Sequence, residues 1–372
     1  MAHSPPDWFA VSNVAEIPTP ALLVYPGRID ENIRRMIEMA GGPARLRPHI
    51  KTHKMPELMR RQLRLGIHKF KCATIAEAEM AASCGAPDIL MGYQPAGPNA
   101  IRMLQLVQQY PQSQFSAVAD DASAIRALSE VFQASGAVLG LMLDLDCGMH
   151  RCGIEPGPAA LGLYRLVASL PGLLPAGLHV YDGHIHDADP AVRAAVCEKA
   201  FIPVFRFRDE LEADGLSVPR IVAGGTPTFP LHARNAAVEC SPGTCVLWDF
   251  GYEDKLRDMN FLTGALVLTR VISKPGGHRL CLDLGHKSIA SENPHPRVRF
   301  LGHEEAQFIL HSEEHLVIET PRAAEFEVGD VLYGVPRHIC PTVALHSEAV
   351  VIQNGRAEAR WKVAARERRL TI

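Results

Sequence analysis

Short apolar segments alternate with helix-length segments through the first two thirds of the chain, and this rhythm restricts the possible folds more than any other feature. The apolar runs fall at residues 46–50, 69–72, 88–91, 115–119, 138–144, 176–181, 220–223 and 238–240. Between them lie segments of helical length, among them 75–83, 100–109, 122–134, 159–170 and 190–213. Strands joined by helical crossovers run parallel. Eight of them predict a closed (β/α)8 TIM barrel. The competing arrangement is an open doubly wound sheet, but no G-x-G-x-x-G follows any early strand.

After about residue 255 the helical pattern stops. Segments 262–273, 279–283, 307–310, 316–319, 331–334 and 349–353 alternate or run apolar between turn signals such as Pro275-Gly-Gly277 and Asn354-Gly355. They predict an antiparallel β domain. The expected division is a barrel over 26–255 and a C-terminal β domain over 256–372, with residues 1–25 adding to the latter.

A 47% apolar chain of 372 residues can bury a large core, and a formal net charge of −3 offers no general attraction to nucleic acid or membrane. Nine cysteines, an odd number without paired spacing, fit a reducing cytoplasm. Residues 1–10 lack a basic start followed by an apolar run, and no window approaches a membrane span, so neither a signal peptide nor a membrane anchor is expected.

Barrel chemistry gathers at the C-terminal ends of the strands. The first predicted strand ends within Arg45-Leu-Arg-Pro-His-Ile-Lys-Thr-His-Lys54, where Pro48 excludes a helix. This places Lys51 at a strand-to-helix turn, flanked by His49 and His53, with Arg45, Arg47 and Lys54 adding positive charge. Positive surroundings and partial burial lower an ammonium pKa and make lysine a nucleophile toward carbonyls. The plainer reading is a basic surface loop. Later strand ends deliver Cys72 and Thr74, Gly92 and Gln94, Asp146 with Gly148-Met-His-Arg-Cys-Gly153, and Tyr181-Asp-Gly-His-Ile-His-Asp187.

The seventh strand delivers Gly224-Gly225-Thr226 and the eighth Ser241-Pro-Gly-Thr244. Glycine N–H groups and a hydroxyl at the start of a helix suit a phosphate dianion, and Gly243, Thr244 and Tyr252 add donors. The alternative is a glycine turn needed for geometry alone. A phosphate pocket facing an activated lysine suggests pyridoxal 5′-phosphate, with Tyr181 flat against the pyridine ring and Arg151 facing its oxygen or nitrogen. Either could instead be a packing aromatic or a surface cation. His184 and His186 form an H-x-H pair that is read as hydrogen-bonding groups near the cofactor or substrate, with a metal pair as the other reading. His338 and Cys340 stand two residues apart, so on an extended chain they share a side and could hold zinc. The alternative is a buried cysteine beside a half-exposed histidine.

Taken together, Arg47-Pro-His-Ile-Lys-Thr-His-Lys54, Val180-Tyr181, Gly224-Gly-Thr226, Asp283-Leu-Gly-His-Lys287, Ser312-Glu-Glu-His315 and His338-Ile-Cys-Pro-Thr342 resemble the D-threonine aldolase and D-serine dehydratase family. The resemblance runs over roughly residues 18 to 355. It implies a fold-type III pyridoxal-phosphate enzyme, with an alanine-racemase-like barrel and a C-terminal β domain. By resemblance Lys51 is the Schiff-base lysine, Arg151 and Tyr181 are cofactor neighbours, and Gly224, Gly225, Thr226 and Tyr252 belong to the phosphate cradle. His338 and Cys340 are then the ligands of a divalent metal, zinc or else manganese or magnesium. The implied substrate is a D-3-hydroxy amino acid, and the implied assembly is a homodimer. Aldolase members often carry aspartate as the second metal ligand, whereas dehydratase members carry cysteine, as here. Retro-aldol cleavage to glycine and an aldehyde, with His184 or His186 as the base, is the leading expectation. Dehydration to a 2-oxo acid and ammonia is the alternative. An amino-acid racemase, a non-catalytic pyridoxal-phosphate carrier and a metal-dependent barrel hydrolase are the further ones.

Overall fold

The structure is a computed structural model that describes residues 7–372. The chain forms two compact units. The first strand, β1 (Ala21–Val24), belongs to the unit built from residues up to Ile33, Thr52–Met55 and Thr244–Arg366. The other unit comprises Arg34–Lys51, Pro56–Gly243 and Glu367–Ile372.

In this second unit seven parallel strands follow one another in sequence order: β2 (Lys69–Cys72), β3 (Asp88–Met91), β4 (Gln114–Ala119), β5 (Leu139–Leu145), β6 (Leu173–Val180), β7 (Ile221–Ala223) and β8 (Val238–Cys240). Helices connect them, so the sheet is curled with helices around it, as in alanine-racemase-like barrels. The expected eighth strand, residues 46–50, is not one. It makes isolated bridges from Leu46 to Cys240 on β8 and from His49 to Lys71 on β2. Arg47 N–H donates to the Cys240 carbonyl at 2.8 Å, and Lys71 N–H donates to the Pro48 carbonyl at 2.9 Å. Pro48 has no N–H to give back, so a continuous ladder is denied while both sheet edges are still joined.

Side chains alternate along these strands. Leu143, Leu145, Leu178, Val180, Ile221 and Ala223 pack outward with Tyr164, Phe201 and Phe207 of the helices. The opposite face carries the buried apolar cluster Leu90, Val118, Met142 and Val222. It also carries charge. Fully buried Arg47 binds Asp88 through two nitrogens, at 2.7 and 2.9 Å, and Glu239 at 2.8 Å. Arg220 and Lys69 complete the group, through Asp88 and Glu239 respectively. Removing one partner of a buried ion pair strands the other. Arg47→Met is therefore expected to cost about 3 kcal/mol of stability, read as a lowered denaturant midpoint.

The other unit is a nine-stranded sheet. Its remaining strands are β9 (Ala265–Ser273), β10 (Arg279–Leu282), β11 (Val298–Phe300), β12 (Gln307–His311), β13 (Leu316–Glu319), β14 (Val331–Pro336), β15 (Glu348–Gln353) and β16 (Arg356–Lys362). The main path runs β12-β13-β10-β9-β1-β15-β16, and β14 pairs with β9 and β11. β1 lies in this sheet, antiparallel to β9 and parallel to β15. The other pairs are antiparallel. β16 was not read from sequence, because most of its side chains are polar and face solvent. Among the described residues no helix is long and apolar enough to cross a membrane.

Candidate active site

Lys51 lies in the 3-10 turn Ile50–Thr52, which directly follows the edge-joining segment. Its N–H points to His49 Nδ1 at 3.4 Å. The positive surroundings expected from Arg45, Arg47 and Lys54 are not what the structure provides. Arg47 is neutralised as described. Arg45 donates to backbone carbonyls of Ala40, Ala233, His232 and Val238. Lys54 belongs to the other unit, where it bonds Ala365. The charge that acts on Lys71 of β2 includes Lys51, so the cation that neighbours Lys51 is Lys71.

Lys71 is 3% exposed and points into the barrel. Its side chain runs over Gly92, where a Cβ would meet Lys71 Cγ at 3.3 Å. Nζ lies 3.4 Å from His179 Nε2, and His179 Nδ1 lies 2.6 Å from Asp144 Oδ1. Burial, followed by the neighbouring Lys51 charge, pushes the Lys71 pKa down to about 7; Asp144 and Asp182 act upward, and Arg151 downward. Burial likewise lowers His179, so its imidazole is neutral. A neutral ring giving Nδ1–H to Asp144 leaves Nε2 to accept from Lys71. Sequence reasoning missed this trio because it sampled the strand ends. The available signal was lysine, aspartate and histidine at inward positions of otherwise apolar strands.

Tyr181 follows β6. The Arg151 guanidinium lies 4.5 Å from its ring centroid and Lys71 Nζ 5.8 Å. Gly183 and Gly225 flank the ring: a Cβ would approach it within 2.4 Å at Gly183 and 3.3 Å at Gly225. The turn Gly224-Gly225-Thr226 is not the start of a full helix. The helix that follows, Phe229–His232, is one turn long, so the macrodipole contributes little. Gly224 N–H is spent on the Val180 carbonyl. Gly225 N–H reaches Thr228 Oγ1 at 3.3 Å, and Gly243 N–H reaches Thr226 Oγ1 at 3.2 Å, which ties the loops after β7 and β8 together. Both bonds are long, so an anionic acceptor can displace them.

Beneath the turn, Asp182 accepts from Thr228 Oγ1 at 2.9 Å and lies 2.7 Å from His232 Nε2. With Cys197 these form a group of metal-ligand types. Burial pushes the Cys197 thiol up to about 12, and both Asp182 oxygens are already engaged, so the group clamps the glycine turn. His184 packs its Nε2 against Gly148, 3.1 Å from where a Cβ would sit, and its Nδ1 is buried with no hydrogen-bond partner. His186 is exposed, and neither histidine joins a metal-ligand group among the described residues. Several expected strand-end groups are caps. Thr74 caps the helix Ile75–Ser83, Gln94 accepts from Asp120 and Asp121, and Asp146 accepts from Gly148 and His150.

In the β unit His338 and Cys340 converge, but not on an extended chain. His338 is the N-cap of the helix Ile339–Leu345, and Cys340 sits in its first turn, where Pro341 is tolerated. Burial opposes charge on His338, yet its hydrogen bond to the Cys340 thiolate and that thiolate's charge, helped by Glu292, raise its pKa to about 9. Burial would raise the Cys340 thiol, but His338, with the hydroxyls of Thr244 and Thr52, lowers it. Thr52 Oγ1 is 3.2 Å and Thr244 Oγ1 3.4 Å from the sulfur. Glu292 Oε1 lies 2.5 Å from His338 Nδ1, the carboxylate support common to metal-bound histidines. A thiolate and an imidazole so arranged fit a divalent ion. Tyr252, also in this unit, stacks on Trp248 at 5.7 Å and gives its N–H to Asp249.

A family model described as the alanine racemase N-terminal domain matches residues 24–249, and one described as a putative serine dehydratase domain matches residues 264–352. The chain is 30% identical to D-threonine aldolase of Arthrobacter sp., with 95% of this chain and 94% of the relative covered. It is 30% identical to 3-hydroxy-D-aspartate aldolase of Paracoccus denitrificans (strain Pd 1222), with 95% and 93% covered. The solved D-threonine aldolase of Filomicrobium marinum superposes with a TM-score of 0.89 at 27% identity, covering 98% of this chain and 99% of that one. Fold and relatives together define a pyridoxal-phosphate-dependent lyase with an alanine-racemase-like barrel. The chain belongs to the D-threonine aldolase and D-serine dehydratase family. The barrel residues fit the cofactor. Lysine and arginine charge surrounds Tyr181, glycine keeps Cβ atoms off its ring, and two long N–H bonds border the glycine turn.

Proposed function

We propose that this protein cleaves D-3-hydroxy amino acids to glycine and an aldehyde, in the manner of a D-threonine aldolase. The observation that carries the reading is His184. Its buried Nδ1 has no protein partner and lies on the loop that also bears Tyr181. An aldolase needs a base for the substrate hydroxyl proton, and an imidazole nitrogen is a group of that kind. Lys51 would bond the cofactor and release it to the substrate amine. Arg151 and Tyr181 would orient it, and Gly224, Gly225, Thr226, Gly243 and Tyr252 would hold its phosphate. Pyridoxal phosphate supplies an aldehyde for amine linkage and an electron sink for the breaking bond. His338 and Cys340 would hold a divalent ion, whose chemistry is to acidify a bound hydroxyl.

A dehydratase reading draws support from Cys340, a thiolate where aldolases of the family often use a carboxylate, and from the description of the C-terminal family match. Product analysis separates the two. With added pyridoxal phosphate and divalent ion, D-threonine and 3-hydroxy-D-aspartate are expected to yield glycine and an aldehyde. A 2-oxo acid with ammonia instead would replace this reading with the dehydratase.

A further inference from the structure

We infer that Asp249 is a positioning residue for the metal pair: its carboxylate, together with the backbone of Gly251, fixes the peptide units on both sides of His338 and so leaves the imidazole to hold a divalent ion. The inference rests on the reading of His338 and Cys340 as metal ligands. A residue at the N-cap of a helix ordinarily spends its side chain on an N–H of that helix. His338 occupies this place before the helix Ile339–Leu345, yet its side chain makes no capping bond. The ring is committed elsewhere, to Glu292 and to the Cys340 sulfur.

Asp249 does the capping in its place. Its Oδ2 accepts from Ile339 N–H at 3.0 Å, while Oδ1 accepts from Tyr252 N–H at 3.0 Å and so caps its own helix, Phe250–Lys255. Asp249 is 1% exposed, so water cannot stand in for either bond. On the other side of His338, Gly251 N–H donates to the Arg337 carbonyl at 3.2 Å. A Cβ at Gly251 would lie 2.4 Å from that oxygen, so this approach requires glycine. Trp248, just before Asp249, holds a φ of +55°, which a bulky residue rarely adopts, and is fully buried against Tyr252 and Phe261. Thr342 Oγ1 donates to the His338 carbonyl at 2.8 Å and closes the turn from within. Residues 337, 338 and 339 are therefore each held through the backbone. Capping alone would need one bond to the helix. It would not need both flanks of a single histidine to be held by one short segment. Fixed ligand orientation is what such outer contacts give a metal site.

The test uses the full-length chain stripped of metal and titrated with zinc in a calorimeter. Asp249→Ser keeps a good N-cap for the helix Phe250–Lys255 but is too short to reach Ile339 as well. It is expected to bind zinc about tenfold more weakly at unchanged stoichiometry. Gly251→Ala, which forces the Arg337 carbonyl away, should weaken zinc binding in the same way by an independent contact. A purely structural role would lower the denaturant midpoint and leave the zinc affinity of the folded chain alone. In the unsubstituted chain, where no variant need fold, zinc is expected to slow hydrogen exchange at the Gly251 and Ile339 amides. Parent-like zinc affinity in the variants, or exchange at these amides that zinc does not change, overturns the positioning role. No zinc bound by the unsubstituted chain overturns the metal pair itself and this inference with it.

Discussion

Lys51→Ala is expected to lose the near-visible absorbance of bound pyridoxal phosphate together with all measurable turnover. The size of the effect follows from the chemistry. Without the Lys51 amine the covalent link through which substrate enters by exchange is lost at this position, and loss of a covalent catalytic group removes the route and not merely a contact. The fold should tolerate the change. The edge-joining bonds of residues 46–50 run through backbone atoms of Arg47, Pro48 and His49, none of which depends on the Lys51 side chain. Circular dichroism and the denaturant midpoint are therefore expected to stay near those of the parent. An unchanged visible spectrum would mean that another amine carries the cofactor.

Cys340→Ala is expected to retain the cofactor absorbance but to lose at least about 100-fold in turnover, which added divalent ion does not restore. The sulfur is the softer of two donors, and the surroundings are arranged for its charged form. His338 pairs with it, and two threonine hydroxyls approach it within 3.4 Å. Alanine removes the donor and leaves the imidazole as the remaining ligand of the pair, too little for firm binding of a catalytic ion. Cysteine to alanine also removes the charge that raises His338 to about 9, so its titration should move down toward the ordinary histidine range. Because the cofactor and the metal pair are read out separately, by absorbance and by metal-supported turnover, the result distinguishes a lost ion from a lost fold. Full activity in this variant would dismiss the metal pair.

The strand rhythm of the barrel was legible because each strand is short, apolar and bounded by turn residues, and β2 and β3 lie where the pattern puts them. Residues 46–50 have the right composition for a strand, but Pro48 withholds one donor and the segment bridges its neighbours without laddering to them. The H-x-C motif was legible as chemistry and not as geometry. The pair converges because a histidine caps a helix, which spacing alone cannot tell from alternation along a strand. Glu292 was invisible, since only the folded β unit brings it from 46 residues away to His338. The arginines near Lys51 misled for the same reason: Arg47 looks like a catalytic neighbour in sequence and proves to be a buried structural cation. Charges inside strands, rather than at their ends, were the clue to Lys71, His179 and Asp144.

The central claim is the covalent attachment of pyridoxal phosphate at one lysine. Reduction of the loaded protein with borohydride, digestion and mass spectrometry locates that bond directly. The pyridoxyl mass is expected on the peptide containing Lys51 and on no other. A label on the Lys71 peptide, or none on any lysine, would contradict the account.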